Sequence, residues 1–96
     1  SASYELIGTY KGRKVLITPG IVESTQAENE NLGKIINEIF DVVMISSPLN
    51  AQALLKTIVK PEIIIIKDKT KMQEMLAKHT RAGDVILFSN DAPSFM

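Results

Sequence analysis

Four times along the chain an unbroken apolar run, rich in β-branched residues, gives way to a small polar loop. The runs are Val15–Leu16–Ile17, Val42–Val43–Met44–Ile45, Ile63–Ile64–Ile65–Ile66 and Val85–Ile86–Leu87–Phe88. The loops that follow them are Thr18–Pro19–Gly20, Ser46–Ser47–Pro48–Leu49–Asn50, Lys67–Asp68–Lys69–Thr70 and Ser89–Asn90–Asp91–Ala92–Pro93. A run without polar alternation predicts a strand covered on both faces. The intervals between the runs have helical spacing, and a strand, a helix and a parallel strand form a right-handed crossover. In such a sheet all four loops emerge at the carboxyl edge, where open α/β sheets bind ligands.

Boundary signals sharpen this pattern. Tyr4 and Ile7, then Leu6 and Tyr10, keep helical spacing, and Gly12 suits a position just past a helix end. Residues 3–10 therefore read as the last turns of a helix whose beginning is missing, and 13–18 as the first strand. Thr25–Gln26–Ala27–Glu28 fits a capping box, and Leu32, Ile35, Ile36 and Ile39 form one apolar stripe behind it. A helix over 25–40 and a strand over 42–46 follow. Asn50 is a good N-cap for a helix through Leu54, Leu55 and Ile58, which Pro61 stops. Residues 62–67 form a third strand, and its four successive isoleucines place it in the middle of the sheet. Asp68 or Thr70 caps a helix with Met72, Met75, Leu76 and His79 on its core face, and Gly83 closes it before a last strand over 84–89. The predicted fold class is α/β. It is a Rossmann-like three-layer sandwich with a mainly parallel sheet of four or more strands, helices on both faces, and an N-terminal element missing.

Ninety-six residues make one domain, long enough for one two-sided core but short for a complete enzyme of this class. Eleven basic residues balance eleven acidic ones, which removes any global field favouring nucleic acid or an anionic membrane. No apolar stretch approaches the roughly 20 residues that span a bilayer. The absence of cysteine, of a disulfide framework and of a secretory leader points to a reducing, cytoplasmic setting. Several chemistries lack their residues. There is no G-x-x-x-x-G-K-[ST] triphosphate loop and no G-x-G-x-x-G after the first strand. A phosphorelay receiver needs acidic residues where Thr18–Pro19–Gly20 stands. One histidine cannot build a metal cluster, and no carboxylates have ligand spacing. No cofactor and no metal site is expected in this chain itself.

Most polar residues on the pattern have a structural use. His79 reads as a helix-terminal histidine favoured by the helix dipole, Met72 and Met75 as core fillers, and Glu28 as a cap. Lys67, Lys69 and Lys71 read as a solvated edge, although they lie on the loop side where an anion could bind. Glu23, in a carboxyl-edge loop after Ile21–Val22, has no such use and is a site candidate. Asn90 and Asp91 fit either a turn, since both residue types bond their own backbone, or a ligand contact.

Two stretches are more specific than the fold pattern. One runs Gly12–Arg13–Lys14–Val15–Leu16–Ile17–Thr18–Pro19–Gly20–Ile21–Val22–Glu23 and the other Ala82–Gly83–Asp84–Val85–Ile86–Leu87–Phe88–Ser89–Asn90–Asp91–Ala92–Pro93. Together they resemble the C-terminal domain of Mur ligases, the ATP-dependent amino-acid and peptide ligases of peptidoglycan synthesis. The likeness is closest to the group that adds D-alanyl-D-alanine. That group carries a strand ending in T-P-G-hydrophobic-V-E and later a G-D-V-hydrophobic-L-F-x-N-D-x-P stretch. Glu30–Asn31–Leu32–Gly33 resembles the helix segment between them. The family's D-x-Y-x-x-N-P motif is absent and would lie just before Ser1. Ser89 stands where a charged residue is commoner, and the segment from Glu23 to Gly33 is a few residues short.

The resemblance implies that residues 1–96 are an excised C-terminal domain of a larger cytoplasmic ligase. In the complete enzymes a central domain holds ATP and magnesium and phosphorylates a UDP-linked muropeptide carboxylate. The amine of an amino acid or dipeptide then attacks the acyl phosphate. The C-terminal domain closes over the nucleotide and helps to bind the incoming amine, with closure excluding water. Its partners are the central domain and these two substrates, with no nucleic acid and no membrane. The positions implied to meet substrate or nucleotide are Thr18, Pro19, Gly20, Glu23, Asn90 and Asp91, and no residue is implied as a catalytic base. Two further classes remain open from the residues alone. One is a free-standing flavodoxin-like domain binding an anion through the loop lysines and helix N-termini. The other is a protein-interaction module that docks a partner at the carboxyl edge.

Overall fold

A computed structural model of the chain describes residues 2–19 and 25–89. The described elements are α1 (Ala2–Thr9), β1 (Lys14–Thr18), α2 (Gln26–Ile39), β2 (Val42–Ile45), α3 (Gln52–Leu55), β3 (Glu62–Ile65), α4 (Met72–His79) and β4 (Val85–Phe88). Short 3-10 turns at Pro48–Ala51 and Lys69–Lys71 lead into α3 and α4. The strands form one sheet in the order β3-β2-β1-β4, and every pairing is parallel. The fold is therefore the α/β arrangement expected from the four apolar runs.

Side-chain alternation divides the sheet between two helical layers. Leu16, Val43 and Ile45 point to one face, where they pack with Leu32 and Ile36 of α2, Leu54 of α3 and Tyr4 of α1. Val15, Ile17, Val42, Met44 and Ile64 point to the other, where Met72, Met75 and Leu76 of α4 lie against them. Val15, Leu32, Ile36, Val43 and Met44 are fully shielded from water. Burying each such side chain is worth about 1.5–3 kcal/mol, so this double core is the main favourable contribution to folding.

Each helix starts and stops for a local reason. Thr25 caps α2, its hydroxyl accepting from Glu28 N at 3.1 Å. The Glu28 carboxylate makes no described return bond, so only half of the expected box is present. Asp68, rather than Thr70, caps the turn before α4, its carboxylate accepting from Thr70 N at 3.0 Å and from the Thr70 hydroxyl at 2.7 Å. His79 ends α4 half-buried. The expected N-cap at Asn50 is not realised: residues 48–51 form the 3-10 turn, and the cap position of α3 falls on Ala51. Helix α3 also stops at Leu55, short of the expected Ile58. Asn37 of α2 reaches across to end it. Its amide donates to Thr57 O at 2.8 Å, and its carbonyl accepts from Val59 N at 2.9 Å and Lys60 N at 3.2 Å.

One positional expectation is overturned. The isoleucine-rich β3 is an edge strand, and β1 and β2 occupy the centre. Ile63 is 36% exposed, while Ile64 and Ile66 bury against the α4 layer. The isoleucine run thus reports two covered faces and not two strand neighbours. The run in β4 at the opposite edge does not report two covered faces: Ile86 and Phe88, on one face, are 38% and 56% exposed.

Candidate functional site

The strand order creates one place where the chain changes direction. From β1 it moves outward through β2 to β3, and after β3 it returns to the far side of β1 as β4. Right-handed crossovers then put α2 and α3 on one face and α4 on the other, as found. The ends of β1 and β4 are therefore neighbours at the carboxyl edge, at the reversal of strand order where open α/β sheets have their ligand crevice.

The strand ends at this boundary are tied to each other. Ile17 pairs with Phe88, and Ser89 N donates to Ile17 O at 2.8 Å. On the other side of β1, Ser46 N donates to Thr18 O at 3.1 Å. Thr18 is the last residue of β1 and is 2% exposed, and Pro19 is half-buried after it. Gly20, Glu23, Asn90 and Asp91 lie outside the described residues. The two strand ends that lead into them are hydrogen-bonded neighbours, at the general strand spacing of about 4.8 Å.

Tyr4 adds a group that the pattern of motifs did not single out. Its ring meets Phe40 edge-on at 5.9 Å, and its buried hydroxyl lies near Ser89, the residue that leaves β4. Burial pushes the Tyr4 hydroxyl above its ordinary pKa, and the Ser89 contact acts the other way. The helical spacing of Tyr4 and Ile7 was the available signal: it marks Tyr4 as inward-facing, and a buried tyrosine hydroxyl needs a partner.

At the opposite, amino edge the same two strands are clamped. The Arg13 guanidinium donates to both carboxylate oxygens of Asp84, from Nε at 3.2 Å and from Nη2 at 2.8 Å. Nη2 also donates to His79 O at 2.7 Å, and Asp84 accepts from Arg81 N at 2.9 Å. The Asp84 side chain is 3% exposed. The Arg13 hydrogen bond holds its carboxyl below the usual range. Gly12 and Gly83 pass each other here with φ of +107° and +93°. A Cβ on Gly12 would stand 2.5 Å from Gly83 O. Gly83 and Asp84, two positions of the family-like stretch, are thus accounted for by strand assembly.

The remaining candidates separate from the crevice. Lys67, Lys69 and Lys71 are exposed beyond β3, with Lys71 3.8 Å from Glu74 and Asp68 occupied by Thr70. Asn31 is exposed, while Gly33 is buried where α2 meets α3. Among the described residues no three His, Cys, Asp or Glu side chains gather as metal ligands, and no helix is long and apolar enough to cross a membrane. No family model, curated protein or solved structure matches the chain.

Proposed function

We propose that this chain is the C-terminal closing domain of a cytoplasmic Mur-type ligase that forms an amide bond in peptidoglycan precursor synthesis. The observation that carries the reading is the adjacency of β1 and β4 at the point where the sheet reverses direction. The two stretches that resemble the family leave the sheet from these neighbouring strand ends. The proposed site is Thr18, Pro19, Gly20 and Glu23 on one side of the crevice and Asn90 and Asp91 on the other. Asp91 or Glu23 orients the incoming ammonium or the nucleotide ribose, because a carboxylate accepts from either donor. ATP and magnesium belong to the central domain of the parent chain, which this domain meets on closure.

The test uses that longer parent chain. Its reading frame should encode a G-x-x-x-x-G-K-[ST] loop upstream of Ser1, and a native start codon beside Ser1 would refute the proposal. In the full-length enzyme, Asp91→Asn or Glu23→Gln should reduce amine or ATP use by about tenfold or more, the value of one charged hydrogen bond. Unfolding midpoints should stay unchanged. Normal kinetics for both variants would remove the site assignment. The 96-residue chain alone should release no phosphate from ATP above a protein-free control, since phosphoryl transfer needs a phosphate-cradling loop and the sequence carries no G-x-x-x-x-G-K-[ST] motif.

A further inference from the structure

The two edges of the sheet are not alike. At one edge β3 starts at the exposed Glu62, directly after Pro61, and is followed by the exposed Lys67. Proline and charge are the usual guards against pairing with another chain. At the other edge β4 reads Val85–Ile86–Leu87–Phe88 with no charge along it, and the carboxylate of the preceding Asp84 is taken by Arg13. Among the described residues no strand lies beyond β4.

The backbone direction shows what this edge offers. Val85 N donates to Arg13 O and Ser89 N to Ile17 O. Alternate residues turn their peptide groups to alternate sides, so the N–H and C=O groups of Ile86 and Phe88 face outward, away from β1. Exposed apolar side chains collect at the same edge. Ile86 and Phe88 are the register partners of Val15 and Ile17, on the α4 face but beyond the cover of α4. On the other face the helices are ranked α3, α2, α1 above the strands, with α1 outermost on the β4 side. Gly8 of α1 faces Ile39 of α2. Leu6, two positions earlier, is turned about 200° from Gly8 onto the outer flank. Tyr10 follows one turn later, and the two are 54% and 47% exposed. Of the large hydrophobic side chains exposed among the described residues, only Val59 and Ile63 lie elsewhere.

We propose that this edge is a dimer interface, in which β4 pairs antiparallel with β4 of a second copy and joins the two sheets. The outward groups fix a self-complementary register. Ile86 exchanges two hydrogen bonds with Phe88 of the second copy, Phe88 does the same with its Ile86, and the two-fold axis passes at Leu87. Each pair sets a β-branched side chain beside an aromatic one, a favoured cross-strand combination. Leu6 and Tyr10 meet their counterparts above the opposite face. A second copy suits the edge because the chain has no net charge, so two copies approach without repulsion, and because the strand has no charge for an ionic partner to meet. The exposed parts of the four side chains come to about 350 Å² per copy, or about 700 Å² for the pair, which with the strand backbone approaches the roughly 1,200 Å² at the low end of specific interfaces. The dimer is accordingly weak, with a dissociation constant on the order of 100 µM. The proposal does not rest on the ligase reading.

Sedimentation velocity of the 96-residue chain from about 10 µM to about 1 mM tests it. The mass should rise from the 10.6 kDa monomer toward twice that value and stop there. Phe88→Lys, an exposed change that brings a charge to each cross-strand pair, should weaken the dimer by about tenfold or more. Val59→Lys, more exposed still but away from the edge, should leave it unchanged. The chain has no cysteine, so a single one reports the register. Leu87→Cys opposes itself across the axis at a Cα separation of about 4.5 Å and should form a disulfide-linked dimer under mild oxidation, whereas Val59→Cys should not. A monomer at about 1 mM would overturn the proposal, as would dimers indifferent to Phe88→Lys or association beyond two copies. Equal cross-linking of Leu87→Cys and Val59→Cys would overturn it too. Each of these failures would leave the proposed function untouched, since none involves Glu23 or Asp91.

Discussion

Gly33 offers the sharpest test of how the α2–α3 layer is assembled. It is buried inside α2, where alanine would ordinarily gain about 1 kcal/mol of helix propensity over glycine. Packing opposes that gain. A methyl group at Gly33 would overlap both Oγ1 and Cβ of Thr57, far inside van der Waals contact. Rotating Thr57 moves Oγ1 but not Cβ, so α3 itself must shift. Overpacking of this kind costs about 1–3 kcal/mol. Losing the 2.7 Å bond from the Thr57 hydroxyl to Leu54 O adds about 1 kcal/mol. The net expectation for Gly33→Ala is a destabilisation of about 1–3 kcal/mol, with Tm falling by about 4–8 °C per kcal/mol. Urea unfolding followed by circular dichroism measures it, with the slope m unchanged. A double-mutant cycle supplies the control. In a Thr57→Ala background part of the clash remains, because Cβ remains. In a Thr57→Gly background it disappears, and Gly33→Ala should become stabilising by about 1 kcal/mol. Stabilisation by Gly33→Ala in the wild-type chain, or the same cost in all three backgrounds, would refute the packing argument.

Two further expectations concern stability. Ile36 is fully buried between α2 and the sheet, so Ile36→Ala should cost about 2–5 kcal/mol in urea unfolding. Phe88, 56% exposed on the edge strand, should cost about 1 kcal/mol or less when changed to alanine; equal losses would contradict the assigned layers. The clamp predicts a pH dependence. Arg13 depresses the folded-state pKa of Asp84, so its contribution is complete above the ordinary carboxylate range, near about 4. It is lost as pH falls through the depressed value, because the unfolded state then binds more protons. The Tm gap between the wild-type chain and Asp84→Asn should therefore be wide at neutral pH and narrow in acid. A gap independent of pH would show that Asp84 acts without its charge.

The parts of the fold legible in the sequence are those with a period or a cap. The four unbroken apolar runs announced parallel strands, and Thr25 announced the start of α2, because both signals are local. Strand order was not legible. In the isoleucine run over 63–66, Ile65 packs on the α2–α3 side and Ile64 and Ile66 on the α4 side, and nothing in the run says whether a strand lies on each side. The end of α3 escaped for the same reason: Pro61 is a visible stop, but the actual stop is Asn37, twenty residues upstream of Thr57. Arg13 and Asp84 are separated by 71 positions, and no spacing rule links them. The location of the crevice could be reached from the motifs only as a carboxyl edge. Its reduction to the β1–β4 boundary depends on where the β3-to-β4 crossover lands.

That landing point gives the two long family-like stretches a division of labour. Each begins at the amino edge with a glycine and a charged residue, Gly12–Arg13 in one and Gly83–Asp84 in the other. Each ends at the carboxyl edge in a polar loop. The close approach of the glycines and the bidentate bond between the charges fix which residue of β1 faces which residue of β4. A parallel pair has no tight turn to set its register, and a slip of one residue would turn Leu16, Val15 and their neighbours to the wrong layer. The clamp supplies that setting at one end of the strands. Through a strand of about 16 Å it also determines how the chain arrives at Thr18 and Ser89 at the other. The glycine and charge positions of the resemblance are therefore explained by folding, and chemistry is required to explain only the loop positions. Substitutions at the clamp should act on the β1–β4 strand ends through stability and geometry together, whereas under the proposed function Glu23 and Asp91 should act on ligand alone.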